Sequence, residues 1–320
     1  MSSTRYRDLL DSEHSWGIIL AGGEGHRLER YTKSIYGFAR PKQYAAIIGN
    51  SSMLQQTLDR VKWLLRQNHI LTIVNSDHRQ YVQEQLRDQP PETVIIQPFC
   101  RDTGPGILLP LLQIHNRDHD AVAAIFPSDH FILEEHKFMA YVAQAFTFVR
   151  SHPNYLAVLG ITPEYPDTEY GWIEKGDILF RLPQMVIHRV RRFWEKPSAQ
   201  TAARLQNSGC LWNTLVIVGL VMTFLEQFQN LLPEVYEPFA KIREVLGSPQ
   251  EAATVQSIFT TLPSRNFSKS ILEKIPDRLC VIPIEGVYWS DWGDEHRIKL
   301  DAERLGLTLS SFRTFMKLKA

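Results

Sequence analysis

Hydrophobic positions come in short unbroken runs, set apart by stretches with helical spacing. The runs "WGIILA" (16–21), "HILTIVNS" (69–76), "TVIIQP" (93–98), "AVAAIF" (121–126) and "NYLAVLGI" (154–161) read as buried strands. Between them, "SSMLQQTLDRVKWLLRQ" (51–67) carries Leu54, Leu58, Val61 and Leu65 on one helical face, with Ser51 or Ser52 available as a cap. Helices are also expected at "DHRQYVQEQLRD" (77–88), "GPGILLPLLQIHN" (104–116, starting near Pro105) and "KFMAYVAQAFTFVR" (137–150). Strands alternating with helices predict an α/β fold whose central sheet is mixed but mainly parallel and flanked by helices. In such sheets ligands lie beyond the carboxyl ends of the strands. "AGGEG" (21–25) and "PSDH" (127–130) both follow strands and both fall at that edge.

From about residue 160 the pattern loosens. "YGWIEKG" (170–176), "HRVRRFWEKP" (188–197), "CLWNTLVIVG" (210–219) and "LCVIPIEGVYWSDWG" (279–293) read as further strands, with helices at 198–207 and 234–246. No repeat, low-complexity tract or linker interrupts the chain. The expected organisation is a polar N-terminal segment (1–15), one body (16–300) and a C-terminal helical tail (301–320).

Composition narrows the picture. At 320 residues and 44% hydrophobic, the chain can bury a sizeable core. Its longest greasy stretch, "LVIVGLVMTFL" (215–225), is short of the ~20 residues that span a bilayer and reads as a strand running into a helix. The first 15 residues lack the apolar core of a secretion signal. Lys plus Arg (35) balance Asp plus Glu (35), so no global field argues for a nucleic-acid or membrane partner, and any attraction for anions is local. The cysteines, Cys100, Cys210 and Cys280, are scattered and form no disulfide or CxxC pattern, which fits a reducing cytoplasm.

The opening stretch, "WGIILAGGEGHRLERYTKSIYGFARPKQY" (16–44), carries the first chemical signal. Gly22, Gly23 and Gly25 let the backbone approach a ligand, and successive N–H groups in such a loop can cradle phosphate oxygens. Arg27 adds a forked donor and Lys42 a point charge, with Pro41 stiffening the chain before it. The Walker pattern is absent, and the dinucleotide fingerprint fails at Leu28. A plain glycine turn beside a solvated Arg is the alternative.

"LAGGEGHRL" followed by "RPKQ" resembles the signature of sugar-1-phosphate nucleotidyltransferases, in particular mannose-1-phosphate guanylyltransferases. "PSDH" (127–130), "EYGWIE" (169–174), "FWEKP" (193–197), "LWN" (211–213) and "WSDWG" (289–293) follow in the family's order, and the resemblance spans residues 16 to 296. It implies a Rossmann-like, GT-A-like nucleotidyltransferase fold. It also implies attack of a sugar 1-phosphate on the α-phosphorus of a nucleoside triphosphate with loss of pyrophosphate, most simply GTP plus mannose 1-phosphate giving GDP-mannose.

The same resemblance assigns roles. Arg27, Lys42 and Asp129 are the catalytic set. Leu20, Ala21, Gly22, Gly23 and Gly25 would hold the nucleotide, and Arg101, Asp102 and Thr103 in "QPFCRDTGP" (97–105) would read its base. Lys196 would grip the sugar phosphate, with Glu195, Gly171 and Asn213 around the sugar. Asp129 and Asp291 would hold Mg²⁺. The bland alternatives are an N-cap for Asp129 ahead of a segment near Phe131, a turn aspartate for Asp291, a surface pair for Glu195 and Lys196, and an Asn213 that satisfies its own backbone. "HNRDHD" (115–120) reads as a solvated loop rather than a zinc site, and "RVRR" (189–192) as a solvated face.

Several positions depart from the family. The spacer before "RPKQ" is longer and starts Glu29-Arg30, Leu215 stands where glycine usually follows the Asn by two, Glu169 replaces a common glycine, and Ser268 in "NFSKSILEK" (266–274) occupies an aspartate position. These changes keep two alternatives in view: the same chemistry on another sugar phosphate or base, and a catalytically weak paralogue that binds nucleotide sugars as a regulator. The C-terminal isomerase or β-helix domains of some relatives are not expected here. A homodimer is the one protein partner considered, with no membrane or nucleic-acid partner.

Overall fold

The computed structural model of the protein describes residues 10–182 and 185–311. Of the two expected terminal segments, 1–9 and 312–320 lie outside the described residues. The strands are β1 (Ser15–Ala21), β2 (Ile70–Asn75), β3 (Val94–Gln97), β4 (Val122–Pro127), β5 (Phe131–Ile132), β6 (Leu156–Ile161), β7 (Gly171–Leu182), β8 (Met185–Glu195), β9 (Leu211–Leu220), β10 (Leu279–Ile284) and β11 (Trp289–Ser290). The helices are α1 (Glu29–Tyr36), α2 (Met53–Val61), α3 (Arg79–Gln85), α4 (Thr103–Arg117), α5 (Glu135–Ser151) and α6 (Ala199–Asn207), then α7 (Val221–Leu231), α8 (Pro233–Val245), α9 (Glu251–Thr261), α10 (Phe267–Ser270) and α11 (Glu295–Leu305). No helix among the described residues is long and apolar enough to cross a membrane.

One sheet runs in the order β3-β2-β1-β4-β9-β6-β10-β8-β7. Its first four strands are parallel, as are β6 and β10. The second half is otherwise antiparallel: β9 lies between β4 and β6, and the β7–β8 hairpin follows β10. β7 also pairs β9 through Trp172–Trp212 and Ile173–Leu211, so β9, β6, β10, β8 and β7 close into a ring. The small β5–β11 pair brings Phe131 beside Ser290.

Both faces of the sheet are covered, which is why its strands read as continuous hydrophobic runs. α2 and α5 pack one face with Leu54, Leu58, Phe138, Val142 and Phe146. α4, α7, α8 and α9 pack the other with Leu108, Leu112, Phe224, Phe228, Phe239 and Phe259. A satellite core joins Tyr31, Ile35 and Tyr36 of α1 to Phe131, Trp292 and Ile298. The long spacer before "RPKQ" is therefore an amphipathic helix that packs on the "WSDWG" turn.

The helix expected over 51–67 stops at Val61. Ser52 starts it with a capping box, its side chain accepting from Gln55 N–H while the Gln55 side chain accepts from Ser52 N–H. It stops because Trp63 and Leu64 N–H groups bond three residues back, to Arg60 and Val61, and tighten the chain into turns.

Candidate active site

The glycine loop and the Pro-Lys-Gln segment form one unit. Gln43 Nε2 donates to Ala21 O (3.1 Å) and to Gly23 O (2.6 Å), lashing the loop after β1 to the segment that carries Lys42. Gly25 adopts φ +68°, and a Cβ there would lie 2.8 Å from Lys42 N and 3.2 Å from Pro41 Cα. That contact explains the spacing of the two motifs: the second is the wall against which the first turns. Gly25→Ala is expected to cost about 1–2 kcal/mol from the left-handed backbone alone. It should also displace Lys42, so thermal denaturation and kcat/KM should fall together.

Lys42 is buried. Its Nζ donates to Asp129 Oδ2 (3.0 Å), and also to the Asp291 carbonyl. Asp129 sits in the turn between β4 and β5, and strand β5 rather than a helix follows it. Burial works against its ionisation, but Lys42, His130 and Arg27 outweigh it and hold the carboxyl below the usual aspartate range. Asp291, just past β11, is likewise buried and held low by Lys42, His130, Tyr170 and Arg297. Its Oδ1 accepts from Tyr170 Oη (2.7 Å), Gly293 N–H (2.9 Å) and Arg297 Nη1 (3.1 Å), while its Oδ2 lies 3.7 Å from Arg27 Nη2. His130 is kept neutral by burial, its pKa pushed down to about 4.

From Arg27 the charges continue. Arg27 Nη1 is 3.9 Å from Glu169 Oε2, and the same oxygen is 3.4 Å from Lys196 Nζ. Asp129, Lys42, Asp291, Arg27, Glu169 and Lys196 thus form one chain of charges drawn from six separate turns. Around Lys196, a Cβ on Gly171 would lie 3.1 Å from Glu195 Oε2 and 3.2 Å from Asn213 Cβ, so these three meet at one point. Asn213 Oδ1 accepts from Leu215 N–H (3.1 Å), which satisfies local backbone.

Burial pushes the Glu195 carboxyl up to about 7; Lys196 pulls it back, while Glu273 and Asp102 raise it further. Its own N–H donates to Glu273 Oε1 (2.6 Å). A folded-state pKa above the unfolded one means the protonated form is favoured by folding. That contribution is complete below about pH 4.5 and is lost as pH rises through about 7. Glu195→Gln is therefore expected to gain on the native protein in thermal denaturation between pH 5 and pH 8, by on the order of 1–3 kcal/mol. An advantage that is flat with pH would contradict the assignment.

Arg101, Asp102 and Thr103, expected to read the base, each make structural contacts. Arg101 donates from Nε to Phe259 O and from Nη2 to Thr260 O (2.9 Å each), so its side chain closes the C-terminal end of α9. Asp102 caps α4, accepting from Thr103 N–H (2.6 Å) and Asn266 Nδ2 (3.3 Å). Thr103 Oγ1 accepts from Phe267 N–H (2.8 Å). The "HNRDHD" segment is structural too: Asp118 accepts from Trp16 Nε1 and bonds His14 (2.8 Å each).

Four further residues at the site were given no role by the sequence. Arg297 on α11 donates to Asp291 Oδ1, to Tyr170 Oη and, from Nη2, to Asp167 Oδ2 (2.5 Å). Tyr170 and Asp167 complete that knot. Gln97 ends β3 against Gly22, donating to Gly22 O (3.4 Å), and its buried Oε1 has no protein partner. Among the described residues, the non-glycine positions with positive φ are Asp102, Lys196, Leu215 and Trp292. All four lie in this neighbourhood, where strained backbone concentrates at sites of chemistry. Leu215 (φ +59°) occupies the position where the resembled family has glycine, and the geometry shows why.

A sequence profile described as nucleotidyl transferase matches residues 16–299. The chain is 29% identical to mannose-1-phosphate guanylyltransferase of Escherichia coli (strain K12) over 282 residues, covering 86% of this chain and 57% of that protein. It is 31% identical to alginate biosynthesis protein AlgA of Pseudomonas syringae pv. tomato, covering 86% of this chain and 56% of that protein. The chain thus spans a little over half the length of these relatives. Its fold resembles the crystal structure of mannose-1-phosphate geranyltransferase from Thermus thermophilus, with a TM-score of 0.73 at 23% identity over 88% of this chain and 76% of that one. With the motifs, the sheet and the profile in agreement over the same span, the chain belongs to the nucleotidyl transferase family.

Proposed function

We propose that the protein transfers a nucleotidyl group from a nucleoside triphosphate to a sugar 1-phosphate, with GTP and mannose 1-phosphate as the substrates and GDP-mannose and pyrophosphate as the products. One observation carries this reading: Lys42, Arg27 and Lys196 come from three turns and are tied together through Asp129, Asp291 and Glu169. Two polyanions can react only where their repulsion is neutralised in advance. The names of the relatives in Escherichia coli and Pseudomonas support the choice of sugar and base.

The glycine loop, Arg27 and Lys42 bind the triphosphate and orient its α-phosphorus. Lys196 holds the sugar phosphate so that one of its oxygens faces that phosphorus. A new P–O bond forms as the bond to the β-phosphate oxygen breaks, and pyrophosphate leaves with the electron pair. Gln97, with a free buried acceptor beside the glycine loop, is suited to take a proton donor of the base. Glu195, near half-protonated at neutral pH, can donate to or accept from a sugar hydroxyl.

The donor set also fits Mg²⁺. Two carboxylates are held below the usual aspartate range near Lys42, which bonds one directly and the backbone carbonyl of the other, and Mg²⁺ favours one or two carboxylates completed by substrate phosphates over an all-protein cage. Asp129 and Asp291 would hold it. When bound, the ion supplies charge neutralisation at the phosphates.

A pyrophosphate-release screen of four nucleoside triphosphates against a panel of sugar 1-phosphates with Mg²⁺ tests the reading. Release is expected, fastest with GTP and mannose 1-phosphate; no release with any pair favours a nucleotide-sugar-binding regulator. Lys196→Ala is expected to raise the KM for the sugar phosphate about ten- to a hundredfold, the worth of one charge-assisted hydrogen bond. A KM raised for the nucleotide alone would overturn that role.

A further inference from the structure

Glu169 stands between two cations that enter the cleft from different turns. Its Oε2 is 3.9 Å from Arg27 Nη1 and 3.4 Å from Lys196 Nζ. The three side chains are 56%, 60% and 52% exposed, so both pairs are screened by water and easily broken. The backbone beneath is held fast. Glu169 N–H donates to Asp167 Oδ1 (2.6 Å), Asp167 Oδ2 accepts from Arg297 Nη2 (2.5 Å), and Trp172 Nε1 donates to Asp167 O (2.8 Å). A rotatable carboxylate on a clamped turn thus fills a slot that two cations define for an anion.

We propose that Glu169 is a displaceable internal anion that couples binding of the two phosphorylated substrates. The proposal rests on the nucleotidyl-transfer reading above and adds a coupling to it. A triphosphate at Arg27 or a sugar phosphate at Lys196 drives the shared carboxylate out of the slot. The first ligand to arrive bears the cost of moving it. The second finds its cation already free. Two anionic ligands held close together repel one another, and release of Glu169 offsets part of that repulsion. The coupling is reciprocal, since each ligand must strengthen the other by the same factor. A glycine at this position, common in the resembled family, has no side chain to do this. A neutral sugar has no charge with which to displace Glu169 and takes no part.

Calorimetric titration with Mg²⁺ present tests the proposal. The dissociation constant of mannose 1-phosphate is measured alone and with a saturating GTP analogue carrying a methylene bridge between its α- and β-phosphates. The ratio of the two constants is the coupling factor. In the native protein it is expected to be three- to tenfold larger than in E169Q and E169G, tenfold being 1.4 kcal/mol. The variants should also bind whichever ligand is added first more tightly than the native protein does. Circular dichroism confirms the fold of each variant, and E169Q preserves the side-chain shape should E169G loosen the turn. Coupling factors within twofold of one another overturn the proposal, as do variants that bind each ligand more weakly. Failure of the native protein to bind either ligand overturns the nucleotidyl-transfer reading instead, and the coupling falls with it.

Discussion

Asp129→Asn is expected to cut turnover at least ~100-fold while leaving the fold intact. Asparagine keeps the shape of the side chain and its capacity to accept from Lys42 Nζ, so the turn after β4 should persist. What it removes is the negative charge. The native carboxyl is held ionised because the cations Lys42 and Arg27 work against the cost of burial. A neutral amide in that place leaves the buried Lys42 without its carboxylate partner, facing only amide and carbonyl oxygens, and removes one of two carboxylates suited to a divalent ion. One such ligand supplies several kcal/mol at a transition state whose charge lies on phosphate oxygens. The measurement is kcat at saturating substrates, with the Mg²⁺ concentration for half-maximal rate alongside. Turnover like that of the native protein would take Asp129 out of the reaction; a lost thermal transition would show a structural effect instead.

How far the chain could be read before its structure was in view depended on range. The parallel half of the sheet was legible because each strand is buried on both faces, so "WGIILA" and "AVAAIF" show as uninterrupted apolar runs. The β7–β8 hairpin was legible only at its inner ends. β7 runs on to Leu182 through Asp177 and Arg181, where one side is wet and bulges break the alternation. α1 was hidden because its apolar positions, Tyr31, Ile35 and Tyr36, sit among charges and serve a small satellite core.

The site divides in the same way. Asp129 follows β4, Arg27 lies in the turn after β1 and Lys42 in the turn after α1, and a local motif points to each. Arg297 is different: it meets Asp167 across 130 residues of sequence, and only the closing of the strand ring and the docking of α11 bring them together. Arg101 shows the converse. The family resemblance implies a ligand there, and the end of α9, more than 150 residues on, supplies two carbonyls that accept from its guanidinium. Spacing reveals which residues share a turn, and not which distant helix end competes for them.

Lys42→Met is expected to have the largest effect, lowering kcat/KM by about 10³-fold or more, some 4 kcal/mol. Methionine fills a similar volume, so lost packing contributes little. The charge is another matter, because Lys42 is buried and both nearby carboxylates owe their low pKa in part to it. Removing one member of a buried pair leaves the other uncompensated, at about 3–5 kcal/mol of stability; Asp129 keeps some contact with solvent, which places the expectation at the lower end. The pH dependence separates this from a packing defect. Carboxyls whose folded-state pKa lies below the unfolded value stabilise the fold above that unfolded value, and the contribution fades as pH falls through the folded one. Without Lys42 the depression shrinks, and burial, the opposing cause at both aspartates, gains ground. The stability gap between native and variant should therefore be widest above about pH 4 and narrow toward pH 3. Chemical denaturation across that range reads it directly. A gap of constant size would mean that Lys42 holds the structure together by shape alone, and that the cleft's negative charge is balanced elsewhere.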